Sequence, residues 1–286
     1  MLRYLTLIFY GVFGIGCIYA FLLIFCFSTF KIPSDSMEPQ LQTGDQVLVN
    51  KWIAGPRLFN IFASMKGKRV DIYRVPGVGQ IKRNDILVFN YPHPYSWERI
   101  EMHIMHYYIK RCLGLPGDSI RIEQGFYRNN HTKEPLGNVE SQANLSRQKA
   151  DRMPDGVYRC FPFDSTFNWN VHDFGPLYIP RKGDRITVNQ TNYKLYKQMI
   201  EWESKDSLSW KDSKVYIGDK QVRQYRFQSN YYFVAGDKTE NSRDSRYLGL
   251  IPEEFIVGVA WKVWKSVDPY TGEYRKGRFW KNIRNN

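Results

Sequence analysis

Residues 4–30 carry no charge, and beyond Lys31 the chain breaks into short apolar runs separated by turn residues. As a helix the uncharged run would extend about 40 Å, enough to cross a bilayer with some tilt. A cleaved leader has a shorter apolar core followed by small residues. This run instead ends "CFSTFKIP", with Phe27 and Phe30 where small residues would stand. The pattern predicts one retained transmembrane helix within residues 1–30, and charge alone leaves its orientation open, since long domains translocate largely regardless of charge. Downstream, "GDQVLVN", "NDILVFNY", "GDSIRIEQG", "GDRITVNQ" and "NYYFVAG" each join Gly, Asn or Asp punctuation to β-branched or aromatic residues. They predict strands bounded by turns, without the fixed period of a solenoid. Helical periodicity is weak except at residues 192–204. The fold class is therefore mainly β, with a few short helices.

Residues 123–225 differ in character from what flanks them. "RNNHTKEPLGNVESQANLSRQKADRMPDG" is polar and rich in breakers, and reads as mobile loop. Aromatic-rich "YRCFPFDSTFNWNVHDF" follows it. We read 123–225 as an insertion that divides one core into 31–122 and 226–286. The 286-residue chain is long enough for such an arrangement.

Charge adds a second theme. Of the net +13, residues 51–83 carry eight Lys/Arg against one Asp, and residues 261–286 carry seven against two acids. Both segments also hold large apolar groups, Trp52, Ile53, Phe59, Ile61 and Phe62 in the first, Trp261, Trp264, Phe279 and Trp280 in the second. Rings mixed with cations suit an anionic lipid surface; solvated charges over core rings are the plainer reading. No nucleic-acid motif accompanies the basic balance. Cys17 and Cys26 read as apolar fillers of the anchor. Cys112 and Cys160 could pair outside the cytoplasm, but sequence does not fix their separation.

Candidate chemistry narrows by exclusion. The chain has no G-x-S-x-G elbow, no H-E-x-x-H, no paired C-x-x-C and no phosphate-binding Gly loop. His103 and His106 are two possible ligands without a third, so no metal is expected. A serine can instead be activated by a lysine, provided the amine is desolvated, since an ordinary lysine is under about 0.1 per cent neutral at pH 7. Burial brings such a base down to roughly 7–8. Lys110, in "HYYIKRCLGLPGDSI", has Tyr107, Tyr108, Ile109 and Leu113 around it, whereas most other lysines lie in polar runs.

Four stretches, "IPSDSMEPQL", "RNDILVF", "YIKRCLGLPGD" and "GDKTENSRDSRYLGLIPEEFIVGVA", occur in the order of the sequence boxes of type I signal peptidases. The whole chain resembles bacterial members of that family, including the N-terminal anchor and the closing "WKVWKS…RFWKNI". The resemblance implies a β-rich catalytic core interrupted by a second β-containing domain. It also implies a Ser–Lys endopeptidase that removes signal peptides from exported preproteins on the outer side of the cytoplasmic membrane, preferring Ala-x-Ala sites. By position, Ser36 resembles the nucleophile and Lys110 the general base. Ser34 resembles the serine that joins the Ser36 N–H in the oxyanion hole, and Ser242 the serine that orients the lysine. Asp244 and Arg246 resemble a pair that supports the site.

Two positions depart from the family's habit, Gln40 where Thr is common and Lys238 where Asn follows Gly-Asp. Lys238 brings a second cation near the site. No cofactor is implied, and the expected partners are preproteins and anionic lipids, with the chain acting as a monomer. A non-catalytic, membrane-tethered binding module of the same fold is the alternative, but its mark would be a lost Ser or Lys. A self-cleaving repressor-type protease would lack the anchor.

Overall fold

The computed structural model describes residues 2–60, 62–63 and 72–283. The chain divides into two compact units, one comprising Met1–Pro33, Thr43–Ile81 and Val257–Asn286, the other Ser34–Gln42 and Lys82–Ile256.

In the first unit, α1 (Leu2–Phe21) passes into a π-helical turn at Leu22–Cys26 and then into strand β1 (Phe27–Lys31). The expectation of one helix through the uncharged run is thereby corrected. Among the described residues no helix is long and apolar enough to cross a membrane. The break falls at "FSTF", whose aromatic and β-branched residues favour a pleated strand. They pair antiparallel with β2 (Asp45–Asn50), from Phe27 opposite Asn50 to Lys31 opposite Gln46. α1 keeps its large apolar side chains exposed, among them Leu7, Ile8, Phe9, Val12 and Phe13. A short hairpin, β3 (Arg57–Leu58) with β4 (Tyr73–Arg74), follows. Ile61 and the charged residues between 64 and 71 of the first basic segment lie outside the described residues.

The second unit is built on β5 (Ile86–Asn90), β6 (Tyr107–Gly114), β7 (Ser119–Glu123), β8 (Phe126–Asn129), β9 (Phe174–Tyr178), β10 (Arg185–Thr187), β11 (Leu208–Lys211), β12 (Lys214–Ile217), β13 (Lys220–Val222), β14 (Gln224–Arg226), β15 (Tyr231–Ala235) and β16 (Ile251–Pro252). β6 is the central strand for function. It pairs antiparallel with β5 on one side, Lys110 opposite Leu87, and with β15 on the other, Arg111 opposite Ala235. β5 and β15 are buried at every position, so these strands read as continuous apolar runs. β7 lies between β8 and β9, β11–β13 form a meander, and β10 pairs with β14. In the first unit, β17 (Ile256–Ser266) runs antiparallel to β2 and to β18 (Lys281–Asn282).

The expected helix appears as Gln190–Ser204, capped by Asn189 and burying Leu195, Tyr196, Met199 and Ile200 along one stripe. The Glu203 carboxylate accepts from the hydroxyls of Tyr225 and Tyr231 and from the N–H groups of Gln228 and Ser229. The reading of residues 128–156 as loop is corrected, because Val139–Ser146 is a helix. Asn138 caps it, accepting from the N–H groups of Glu140 and Ser141, and Ser141, Gln142 and Leu145 are buried. All four cysteines are free thiols, so Cys112 and Cys160 do not pair. Both are buried, which pushes the Cys160 thiol up to about 12.

Candidate active site

Ser36 sits in a tight turn whose downstream flank is anchored by apolar burial. Met37 and Leu41 are fully buried, and the Leu41 N–H donates to the Met37 carbonyl at 2.9 Å. Burying two such side chains stabilises the turn by roughly 3–6 kcal/mol before conformational entropy is counted. Ser36 itself is 8% exposed, and Ser34 Oγ lies 3.4 Å from its hydroxyl.

β6 brings Lys110 to this turn. Its Nζ donates to Ser36 Oγ at 2.6 Å, and the side chain is 4% exposed. Among the described residues no carboxylate pairs with it. Desolvation pushes its pKa down to about 8, against a partial upward pull from the charges of Asp244, Asp237 and Asp35 and a downward one from Arg246. The Tyr108 ring centre is 5.6 Å from Nζ. A buried amine near neutrality, hydrogen-bonded to a buried hydroxyl, is chemically equipped to take that hydroxyl's proton.

The loop after β15 closes the other side. Gly236 is required there by close approach, since a Cβ would come within 2.2 Å of Ser242 Oγ and 2.6 Å of the Ser36 carbonyl oxygen. Ser242 is thus brought beside the Ser36 turn. Its Oγ is buried and helps hold the Asp244 carboxyl ionised, and no hydrogen bond joins it to Lys110. Asp244 and Arg246 are both fully buried. Arg246 donates to the Asp244 carboxylate through Nε and Nη2, at 2.9 Å each, and to the Thr239 carbonyl at 2.8 Å. Asp244 also accepts from the Gly236 N–H at 3.0 Å. Burial opposes ionisation of Asp244, but the Arg246 charge together with the hydrogen bonds from Arg246, the Gly236 N–H and Ser242 outweighs it and holds the carboxyl below its ordinary range. The pair is a buried strut that fixes the path of the Gly236–Ser242 loop.

Sequence reasoning missed several residues that build this site. Arg111, next to Lys110, makes two 2.6 Å bonds to Asp237. Ser141 Oγ donates to Glu240 and accepts from the Thr239 N–H at 2.7 Å, so the unforeseen helix braces the same loop. Asp35 accepts from Lys238 and Asn241. The one available signal was that Asp35, Arg111 and Asp237 are charged residues inside the quoted boxes. Beyond Ser242 the unit opens into a cavity of about 720 Å³, walled by Trp97, Phe163, Tyr247, Arg243 and Lys197 among others.

With this geometry in view, the match to the family described as signal peptidase, peptidase S26, runs over residues 5–264, and the chain belongs to that family of peptidases. Signal peptidase I of Buchnera aphidicola subsp. Acyrthosiphon pisum is 29% identical over 263 residues, covering 88% of this chain and 73% of its own. Signal peptidase I of Pseudomonas aeruginosa is 29% identical over 252 residues, covering 85% of this chain and 66% of its own. A solved signal peptidase I of Enterococcus faecalis is 16% identical and superposes at a TM-score of 0.31 over 64% of this chain and 98% of that one. That structural likeness is too slight to add to the family match.

Proposed function

We propose that this protein is a serine endopeptidase that cleaves N-terminal signal peptides from exported preproteins, with Ser36 as nucleophile and Lys110 as general base. The observation that carries the reading is the 2.6 Å contact between a buried lysine amine, which pairs with no carboxylate among the described residues, and a buried serine hydroxyl. The neutral amine takes the Ser36 proton as Oγ attacks the scissile carbonyl. The resulting ammonium returns that proton to the leaving amine, and water then releases the acyl group by the same route. The Ser36 N–H and the Ser34 hydroxyl stabilise the oxyanion, a fully formed donor contributing on the order of 3–4 kcal/mol. Ser242 orients Lys110; its hydroxyl is buried beside Gly236, on the same side of the site as the amine's Ser36 partner. Asp244 and Arg246 support the loop, and the chemistry needs no metal or organic cofactor.

The chain acts as a monomer held at the cytoplasmic membrane by its N-terminal segment, with the remainder on the outer side. Residues 31–122 and 226–286 form the catalytic core, and 123–225 an inserted non-catalytic domain. The exposed apolar side chains of α1 favour a lipid environment. Exposed Trp264, Phe279 and Trp280, with Lys262 Nζ 5.1 Å from the Trp280 ring centre, favour contact with anionic headgroups. The test is cleavage of a preprotein bearing an Ala-x-Ala site by the full chain in detergent. Wild type cuts at that site and Ser36→Ala does not; cleavage by the variant at the wild-type rate overturns the reading.

A further inference from the structure

The two flanks of the Ser36 turn are held by different means. Downstream, Met37 and Leu41 are locked by apolar burial, but upstream Ser34 is exposed and Asp35 half-buried. There the loop after β15 takes hold at two points. The Lys238 N–H donates to the Ser36 carbonyl at 3.1 Å, and Lys238 Nζ donates to Asp35 Oδ2 at 2.5 Å. Asn241 Nδ2 reaches both Asp35 oxygens at 3.1 Å. Glu38 lies at the edge of the cluster, 3.9 Å from Lys238 Nζ.

We propose that Lys238 is a positioning residue for the nucleophile: its backbone and side chain grip the Ser36 carbonyl and the Asp35 carboxylate, fixing the peptide that must face both Lys110 and the substrate. The proposal rests on the reading of Ser36 as nucleophile. A half-exposed ion pair of this kind contributes little to stability, whereas small displacements of a reacting group cost rate steeply. Loss of the grip therefore appears in turnover more than in folding.

The charges give the clasp a distinctive signature. Lys110 is faced by Asp244, Asp237 and Asp35, by Arg246 and by the Tyr108 ring. Asp35 is in turn neutralised by Lys238, which also faces Glu38 and Glu240. Removing the Lys238 cation leaves the Asp35 carboxylate uncompensated, and an uncompensated anion favours protonated Lys110. Removing the Asp35 charge does the reverse. The two changes therefore move the pH dependence of cleavage in opposite directions, which mere loosening of a loop does not do.

The experiment measures kcat and KM for a preprotein across pH with the full chain in detergent. Lys238→Met is expected to lower kcat about ten-fold with little change in KM, and to move the acid limb upward by a few tenths of a pH unit. Asp35→Asn moves the limb downward, and Lys238→Arg, which keeps the cation, recovers most of the lost turnover. Thermal midpoints within a few degrees of wild type show that all three variants fold. Wild-type kcat in Lys238→Met, no recovery in Lys238→Arg, or limbs that move the same way in Lys238→Met and Asp35→Asn overturns the clasp. Ser36→Ala run in parallel separates the parent reading: if it cleaves, the nucleophile assignment fails first.

Discussion

Lys110 and Arg111 are neighbours on β6, each 4% exposed, and they meet their burial in opposite ways. Strand alternation sends their side chains to opposite faces. Arg111 lays its guanidinium along Asp237 with two 2.6 Å bonds and gives a third, of 2.8 Å, to the Asn84 carbonyl. Among the described residues Lys110 pairs with no carboxylate; its amine donates to the Ser36 hydroxyl and lies 5.6 Å from the Tyr108 ring centre. A buried cation held by a carboxylate ties elements together, here β6 to the loop after β15. A buried cation without one is driven toward its neutral form. What distinguishes the candidate base is therefore the absence of a fixed counter-charge, since burial is the same for both.

Exchanging the chemistry of the two neighbours is the strongest way to break that contrast. Lys110→Ala is expected to reduce preprotein cleavage by about 10⁴-fold or more, the scale seen when a nucleophile's base is removed. Lys110→Arg is expected to be equally inactive, because a guanidinium stays protonated and cannot accept the Ser36 proton. Gel-based cleavage over a long time course measures both. Turnover by Lys110→Arg within ten-fold of wild type would mean that a permanent cation suffices, and the distinction from Arg111 would collapse.

Stability sharpens the same contrast with opposite signs. Arg111→Met strands Asp237 in the interior and is expected to cost about 3–5 kcal/mol, read as a lowered thermal midpoint. Lys110→Met removes a charge whose burial is unfavourable. The lysine binds its proton more weakly folded, at about 8, than unfolded, at 10.5. Its stabilising contribution is therefore fully present above 10.5 and is lost as pH falls through 8. The stability of wild type relative to Lys110→Met should rise with pH across that window by on the order of 3 kcal/mol. At neutral pH the variant gains part of this amount, less the lost hydrogen bond to Ser36. A midpoint that falls in both variants would show that Lys110 is held as a structural cation.

Much of this arrangement is legible in the sequence. Turn residues flanking β-branched runs marked β2, β5, β7, β10 and β15, and the apolar neighbours of Lys110 singled it out among many lysines. What escaped the sequence depends on partners far apart in the chain. Asp35 and Lys238 are 203 residues apart, and Arg111 and Asp237 are 126 apart. No local pattern announces such pairs. The helix Val139–Ser146 escaped for a related reason. Its buried positions include polar Ser141 and Gln142, whose partners lie elsewhere, so no apolar stripe betrays it. The strand at the end of the uncharged run was hidden by hydropathy, which does not distinguish a membrane helix from a strand with aromatic residues.

The smallest expected effect tests whether the Lys110 face alone sets the charge state. For wild type, kcat/KM should rise ten-fold per pH unit and level off near pH 8, because only the neutral amine accepts a proton and its fraction grows as pH approaches the depressed pKa. Ser34 Oγ approaches Ser36 Oγ at 3.4 Å, and no hydrogen bond joins it to Lys110. Ser34→Ala should therefore lower kcat by about ten- to a hundred-fold, less than the loss of a fully formed oxyanion donor. Its acid limb should stay where the wild type's is. A limb that moved with Ser34→Ala would tie this exposed hydroxyl to the protonation of the base, and the counter-charge argument would then have to include the mouth of the site as well as its buried face.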